Sequence, residues 1–322
     1  MRKIAFLLAG LSLAGVTYAK EVLPEAEPVI EPAVVVKPVE QPVEEIVKAP
    51  VLRVTSVGQY LEIDNNSSSN GENSENIGEG IHFGNKVGLA YGDNWTFDLM
   101  ARKTWKASTD DVKDTEGTWD GVKSNGHRIE IGATRHFDNF AVGLKWRGEE
   151  DLDRFYIPVS YDFGIVSGWA TPAYTFMNEG NDDDTWYLEA MPLTIKYGPL
   201  ALGYYFEGTK STGDDDTHEY DHQVRLMADL FSTDRFRLGA EYWYQFAYEN
   251  QTEKAGKLVD YYENNKHTGV IKAAYDVTEN LTIDGYYRYD FNKYDEFEGA
   301  TKLAGKDDDY YGEFYLGWTY NF

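Results

Sequence analysis

Six histidines, His82, His127, His136, His218, His222 and His267, are the side chains with which this chain could bind a metal or move a proton near neutral pH. Four lie far from any second candidate, and only His218 and His222 form a close pair. Residues four apart on a strand share a face, so those two imidazoles could meet a transition metal. The zinc-protease pattern needs a Glu between two His on a helix, which is missing here, and the pair reads as polar side chains of a rim or wall. There is no cysteine, which excludes a disulfide scaffold and any Cys-ligated metal. A hydrolase would require a nucleophile beside a base, or paired carboxylates with a His. Those groups are not gathered, so no catalytic residue, metal ligand or cofactor is assigned and the chain reads as a non-enzyme. No Gly-rich phosphate loop or basic patch occurs, and a net charge of −25 opposes nucleic acid as a partner.

The charged residues with regular spacing suggest something else. Arg102, Arg128, Glu130, Lys145, Arg147, Arg225, Glu241, Lys272, Arg288 and Glu313 sit in stretches where every second residue is apolar or small. Phe140, Val142, Leu144 and Trp146 alternate with Lys145 and Arg147; Phe236, Leu238, Ala240, Tyr242, Tyr244 and Phe246 alternate with Arg237, Glu241 and Gln245. Turned to lipid, an Arg or Lys would cost about 2–4 kcal/mol at the bilayer midplane, so the apolar face goes outward and the charges line water. Asp98, Asp229 and Asp284 share that inner face. Two arrangements stay open: opposed ladders of the two signs, or ion pairs between neighbouring strands.

Such a lining needs strands, and the clearest is the last. Tyr310, Gly312, Phe314, Leu316, Trp318, Tyr320 and Phe322 form one face opposite Tyr311, Glu313, Tyr315, Gly317, Thr319 and Asn321. An outer-membrane barrel strand reads this way, with Tyr320 and Phe322 as its terminal assembly signal for the barrel-assembly machinery. Fourteen candidate strands follow Pro50: 51–64, 80–91, 95–106, 126–136, 140–148, 154–163, 165–177, 185–197, 200–206, 220–231, 235–248, 266–276, 281–292 and 310–322. Short turns such as Gly92-Asp93-Asn94, Gly198-Pro199 and Ser232-Thr233-Asp234 alternate with long polar connections such as 65–79, 107–125, 249–265 and 293–309. The third long-side connection, near Glu149–Asp153, is the shortest. Strands one, seven and eight alternate poorly, and Pro158, Pro172 and Pro192 each remove a ladder donor, which predicts bulges and leaves the count between twelve and sixteen. The fold class is all-β: a transmembrane antiparallel up-and-down barrel over 51–322, preceded by a segment without regular structure.

That segment has two parts. Arg2 and Lys3 before the apolar stretch Ile4–Val16, with Thr17-Tyr18-Ala19 as cleavage site, predict a signal peptide over 1–19. From 20 to 50 Pro, Val and Glu recur, predicting an extended periplasmic tether. Aromatics are 15% of the chain although its average is hydrophilic, which suits a barrel with water inside and Tyr and Trp at both membrane interfaces. The acid concentrates in the long connections, in runs such as Asp182–Asp184, Asp214–Asp216 and Asp307–Asp309. They read as a solvated outer rim bridging to lipopolysaccharide, or as a cation-attracting mouth.

Lys20-Glu21-Val22-Leu23-Pro24, the Pro/Val/Glu segment behind it and the aromatic-rich barrel ending in Phe322 resemble the fusobacterial major outer-membrane porin family. The resemblance implies a voltage-dependent, weakly selective diffusion porin, trimeric, whose exposed loops also act as adhesins. This chain departs from the family in being acidic and somewhat short. Oligosaccharide-specific porins are a looser likeness, with Tyr residues as a sugar track. The expectation is a passive pore for small hydrophilic solutes and ions in the outer membrane of a Gram-negative bacterium, in contact with lipid and lipopolysaccharide and assembling as a homotrimer. The alternative is an adhesin or structural barrel that binds through its acidic loops.

Overall fold

The structure, a computed structural model, describes residues 50–67, 75–107, 122–178, 183–213, 217–253, 257–291, 295–303 and 310–322. The signal peptide, the tether apart from Pro50, and the runs Asp214–Asp216 and Asp307–Asp309 lie outside the described residues. Within them the strands are β1 (Leu52–Ser67), β2 (Glu75–Tyr91), β3 (Trp95–Ala107), β4 (Val122–His136), β5 (Phe140–Glu149), β6 (Leu152–Tyr156), β7 (Val159–Asp162), β8 (Val166–Met177), β9 (Thr185–Tyr197), β10 (Leu200–Ser211), β11 (His218–Ser232), β12 (Phe236–Glu253), β13 (Leu258–Asn264), β14 (Lys266–Asp276), β15 (Leu281–Phe291), β16 (Asp295–Glu298), β17 (Thr301–Lys302) and β18 (Tyr310–Asn321).

Fourteen antiparallel staves close into one barrel. Strands β6 and β7 make a single stave, and β13, β16 and β17 stand outside the count. Closure comes from β1 against β18, in register from Ser56↔Asn321 to Ser67↔Tyr310. With every stave paired on both sides, no edge is left to template another chain. The turns on one side are tight, and Gly92 (φ +58°) and Gly198 (φ +57°) take the left-handed conformation that reverses the chain there.

The prolines act as their missing donors require, each differently. Pro158 splits the sixth stave, and the ladder bridges the gap through its own carbonyl, which accepts from Gly143 N at 2.8 Å, and through Ile157 N to Pro172 O at 2.9 Å. Pro192 sits where the register slips on both sides, between Ser167 and Trp169 on β8 and between Tyr204 and Phe206 on β10. Pro172 stays in register with Leu188. Shifts also occur at Lys103/Trp105, where β4 skips past Gly126 at φ +101°, and at His222/Gln223 and Asp229/Phe231, where neither extra residue is a proline or glycine.

Several strands outrun their expected ends, by more than a residue only on the long-loop side. The second begins at Glu75 instead of 80, and the ninth stave, β10, continues to Ser211 instead of 206. Above the lipid belt both faces of a strand meet water, so alternation disappears while backbone pairing continues. Part of the expected loop 249–265 is strand as well: β13 lies on β12 from Tyr248↔Glu263 to Glu253↔Leu258 and then pairs with β16. Asn265, at φ 63°, turns the chain from β13 into β14, and its side chain accepts from Tyr244 Oη at 2.7 Å.

The burial pattern inverts that of a water-soluble protein. Leu99, Ile129, Ile131, Val142, Leu144, Leu202, Ile271, Phe314 and Leu316 are exposed, Leu144 to 68%. Their strand neighbours Arg128, Glu130, Arg147, Gln223, Arg225 and Glu313 are buried, Arg147 to 3% exposure. Tyr91, Trp95, Phe140, Phe163, Tyr197 and Tyr275 are exposed at the short-turn end, and Phe155, Phe176, Trp186 and Phe291 toward the other. Two aromatic girdles around an apolar band are what a bilayer selects. Tyr320 and Phe322 close the lower girdle, ring centroids 5.1 Å apart, and Phe322 N donates to Thr55 O at 3.0 Å.

Candidate pore lining

Inside the barrel the charged residues form a continuous set of cross-strand contacts. Neighbouring strands put Arg102 opposite Arg128, Arg128 opposite Glu149, Glu130 opposite Arg147, and Arg147 opposite Arg154. Glu130 is the shared anion: Arg147 Nε donates to it at 2.7 Å, Lys145 pairs with its other oxygen, and Arg128 Nη1 lies 4.0 Å away. Arg128 Nε donates to Glu149 at 2.6 Å. Arg147 and Arg154 stand 5.2 and 5.9 Å from the centre of the buried Tyr156 ring, and Arg154 Nε donates to Thr175 at 2.7 Å. This wall, β3 to β6, carries Arg102, Arg128, Lys145, Arg147 and Arg154 against Asp98, Glu130 and Glu149, so its field is positive.

The next sector, β9 to β11, has the opposite sign. Tyr205 Oη donates to Glu189 at 3.1 Å and to Glu207 at 2.7 Å, Tyr187 Oη reaches the same two carboxylates at 3.2 and 3.0 Å, and Gln223 donates to Asp221 at 2.5 Å. Arg225 ends this sector, its guanidinium 3.4 Å from the Tyr205 ring centre and 3.9 Å from that of Trp243. A planar cation between two aromatic faces is held without needing a carboxylate.

Solved structures with similar folds are outer-membrane barrels with little sequence in common. The chain is similar to the anion-selective porin from Comamonas acidovorans at 12% identity and TM-score 0.44, over 84% of this chain and 100% of that one. It is similar to outer-membrane expressed OmpT of Vibrio cholerae at 14% identity and TM-score 0.43, over 86% of this chain and 100% of that one. A third, Acinetobacter baumannii OccAB3, gives 7% identity and TM-score 0.44 over 84% of this chain and 99% of that one. No protein-family model and no curated protein matches the sequence.

The remaining sector, β12 to β1, mixes the signs. Lys272 pairs with Glu241, which also accepts from Trp243 Nε1 at 2.7 Å. Arg288 donates to Asp290 at 3.0 Å and lies 3.8 Å from Glu313, which accepts from Tyr286 and, at 3.1 Å, from Tyr311. Tyr60, Tyr315 and Tyr286 stack in a row at 5.5 and 5.0 Å, with Lys86 Nζ 4.5 Å from the Tyr60 ring.

The ten residues expected in the lining all lie on barrel strands, and eight of them form ion pairs. Arg225 is stacked instead, and Arg102 Nε is buried without a partner. The two arrangements left open by the sequence coexist: charges pair between neighbouring strands, and the surplus still segregates into a basic and an acidic sector. Sequence reading missed Arg154, Tyr156, Tyr187, Glu189, Tyr205 and Glu207. Tyr187 and Glu189 do alternate with Trp186 and Leu188, but Pro192 interrupts the pattern before it becomes convincing. The pair His218 and His222 forms no joint site: His218 Nε2 lies 3.2 Å from Glu249, and His222 Nδ1 is bonded to Tyr204 Oη at 2.8 Å on the outer face.

Proposed function

We propose that this chain is an outer-membrane porin through which small hydrophilic solutes and ions diffuse down their gradients. The observation that carries the reading is the inverted burial: charged and polar side chains inside a closed fourteen-stave barrel, apolar ones outside. A barrel of that size is too wide for its own side chains to fill, so water is the default content. The lining side chains are also tied to one another by ion pairs and ring contacts. No bond is made or broken; lumen charge sets the selectivity.

The rest of the envelope biology follows from the sequence. Residues 1–19 direct export, 20–50 form a periplasmic tether, and Tyr320 and Phe322 are read by the barrel-assembly machinery. Lipid and lipopolysaccharide contact the outer band. The fusobacterial porin resemblance supports a voltage-dependent, trimeric pore.

The test is conductance of the purified, refolded protein in a planar bilayer under a potassium chloride gradient. Discrete steps with a defined reversal potential are expected. Silence from protein that migrates as a folded barrel would overturn the porin reading in favour of an adhesin or structural barrel.

A further inference from the structure

We propose that Glu62, Asp64 and His82 form a binding site in the lumen for one first-row divalent cation of the zinc class. Glu62 and Asp64 are two apart on β1 and so share its inner face; His82, on β2, is the register partner of Glu62. One donor atom from each lies within 4.8 Å of the others. His82 Nε2 is 3.1 Å from Asp64 Oδ2 and 3.9 Å from Glu62 Oε1. Tetrahedral donors about 2.1 Å from a zinc ion stand about 3.4 Å apart, so small movements would close the set around a metal.

Three further features point to a ligand. The His82 Nδ1 atom is 2.9 Å from Thr104 Oγ1, a contact that fixes the ring and turns Nε2 toward the carboxylates, as the outer partner of a metal-bound histidine does. Glu62 is 3% exposed, yet its Oε2 has no hydrogen-bond partner. An orphaned buried acceptor costs about 1–3 kcal/mol, and more when charged, a cost that a bound cation would remove. Among the described residues no Lys or Arg lies within ion-pair distance of either carboxylate; His82 alone does.

The third feature is Gly80, the register partner of Asp64. A Cβ there would overlap Asp64 Oδ2 and stand 2.8 Å from His82 Nε2. The absent side chain leaves space directly beside the donor atoms. A register shift follows at once, between Asp64 and Asn65, and bulges commonly re-aim side chains next to sites. Tyr311 Oη, 3.1 Å from Asp64 Oδ1, secures the carboxylate from the other side. The two strands bring together residues that are unremarkable in the sequence, where His82 is a lone histidine.

The experiment uses the full mature protein folded in detergent, titrated with Co2+ by optical absorption and then with Zn2+ as competitor. One equivalent of Co2+ should give d–d bands with an imidazole ligand, and Zn2+ should displace it. Glu62→Gln is nearly isosteric and His82→Ala truncates a lumen side chain; each should weaken Zn2+ binding about tenfold or more, and Thr104→Ala about tenfold. Gly80→Ala should block the site, while His218→Ala with His222→Ala should leave it intact. Folding of each variant is checked by heat-modifiable migration. Absence of saturable binding, or equal binding by folded Glu62→Gln and His82→Ala, would overturn the proposal and leave only loose association with acidic loops. The readout needs no current, so it stands or falls independently of conduction.

Discussion

Glu130 shows what single charges do in this wall. It is 5% exposed and holds Arg147 and Lys145 directly, with Arg128 at the limit of contact. Replacing it by Gln leaves three cations facing one another across neighbouring strands. Breaking a fully buried pair costs about 3–5 kcal/mol and an exposed one about 1 or less; a site on a hydrated wall falls between. We predict a loss of about 2 kcal/mol for Glu130→Gln in urea unfolding from detergent or lipid, partly recovered in the double variant Glu130→Gln, Arg147→Met. Lys145, more exposed to the lumen, should cost less when changed to Met. At this scale the face of each residue was legible in the sequence and its partner was not. Alternation says that Glu130 and Arg147 point the same way, whereas their meeting depends on the register of β4 against β5, fixed by the length of the Phe137-Asp138-Asn139 turn and by hydrogen bonds at its base.

The strands were legible wherever one face meets lipid and the other water. All fourteen staves overlap the expected strands, the first, seventh and eighth in spite of poor alternation, and the turn side was marked by glycine, asparagine and aspartate. What escaped were the ends. In β13 and β16, Asp260, Glu263, Asp295, Glu296 and Glu298 read as solvated loop, and pairing there comes from the neighbouring strand, not from a buried face. The same logic yields a test of which face meets lipid. Leu144 is 68% exposed, and on a water-soluble protein Leu→Arg at such a position would change stability by about 0.5 kcal/mol or less. Against a bilayer it should cost about 2–4 kcal/mol near mid-depth. Reversible folding into phospholipid vesicles, comparing Leu144→Arg with the parent, separates the two; a change below about 1 kcal/mol would remove lipid from that face.

Taken as a whole the molecule carries two electrostatic systems of opposite tendency. The sequence puts most of its net charge of −25 in the long connections, while the β3–β6 sector of the wall has surplus arginine and lysine. The two differ in how salt reaches them. For carboxylates in bulk solution the screening length falls from about 10 Å at 0.1 M to about 3 Å at 1 M. Wall cations face a confined, partly low-dielectric space and are screened less. Selectivity should therefore move toward anions as the mean salt concentration rises, because the acidic rim fades first. Lys86 and Lys145 provide the handle: both face the lumen, and Lys86 rests on the Tyr60 ring, so Lys86→Gln with Lys145→Gln removes charge while keeping length. Under a fixed potassium chloride gradient its reversal potential should shift toward cations at both concentrations, and by the larger fraction of the total at 1 M. An unchanged reversal potential in a conducting variant would mean that ions do not pass this wall, and the acidic sector of Glu189, Glu207 and Asp221 would then be the path to probe.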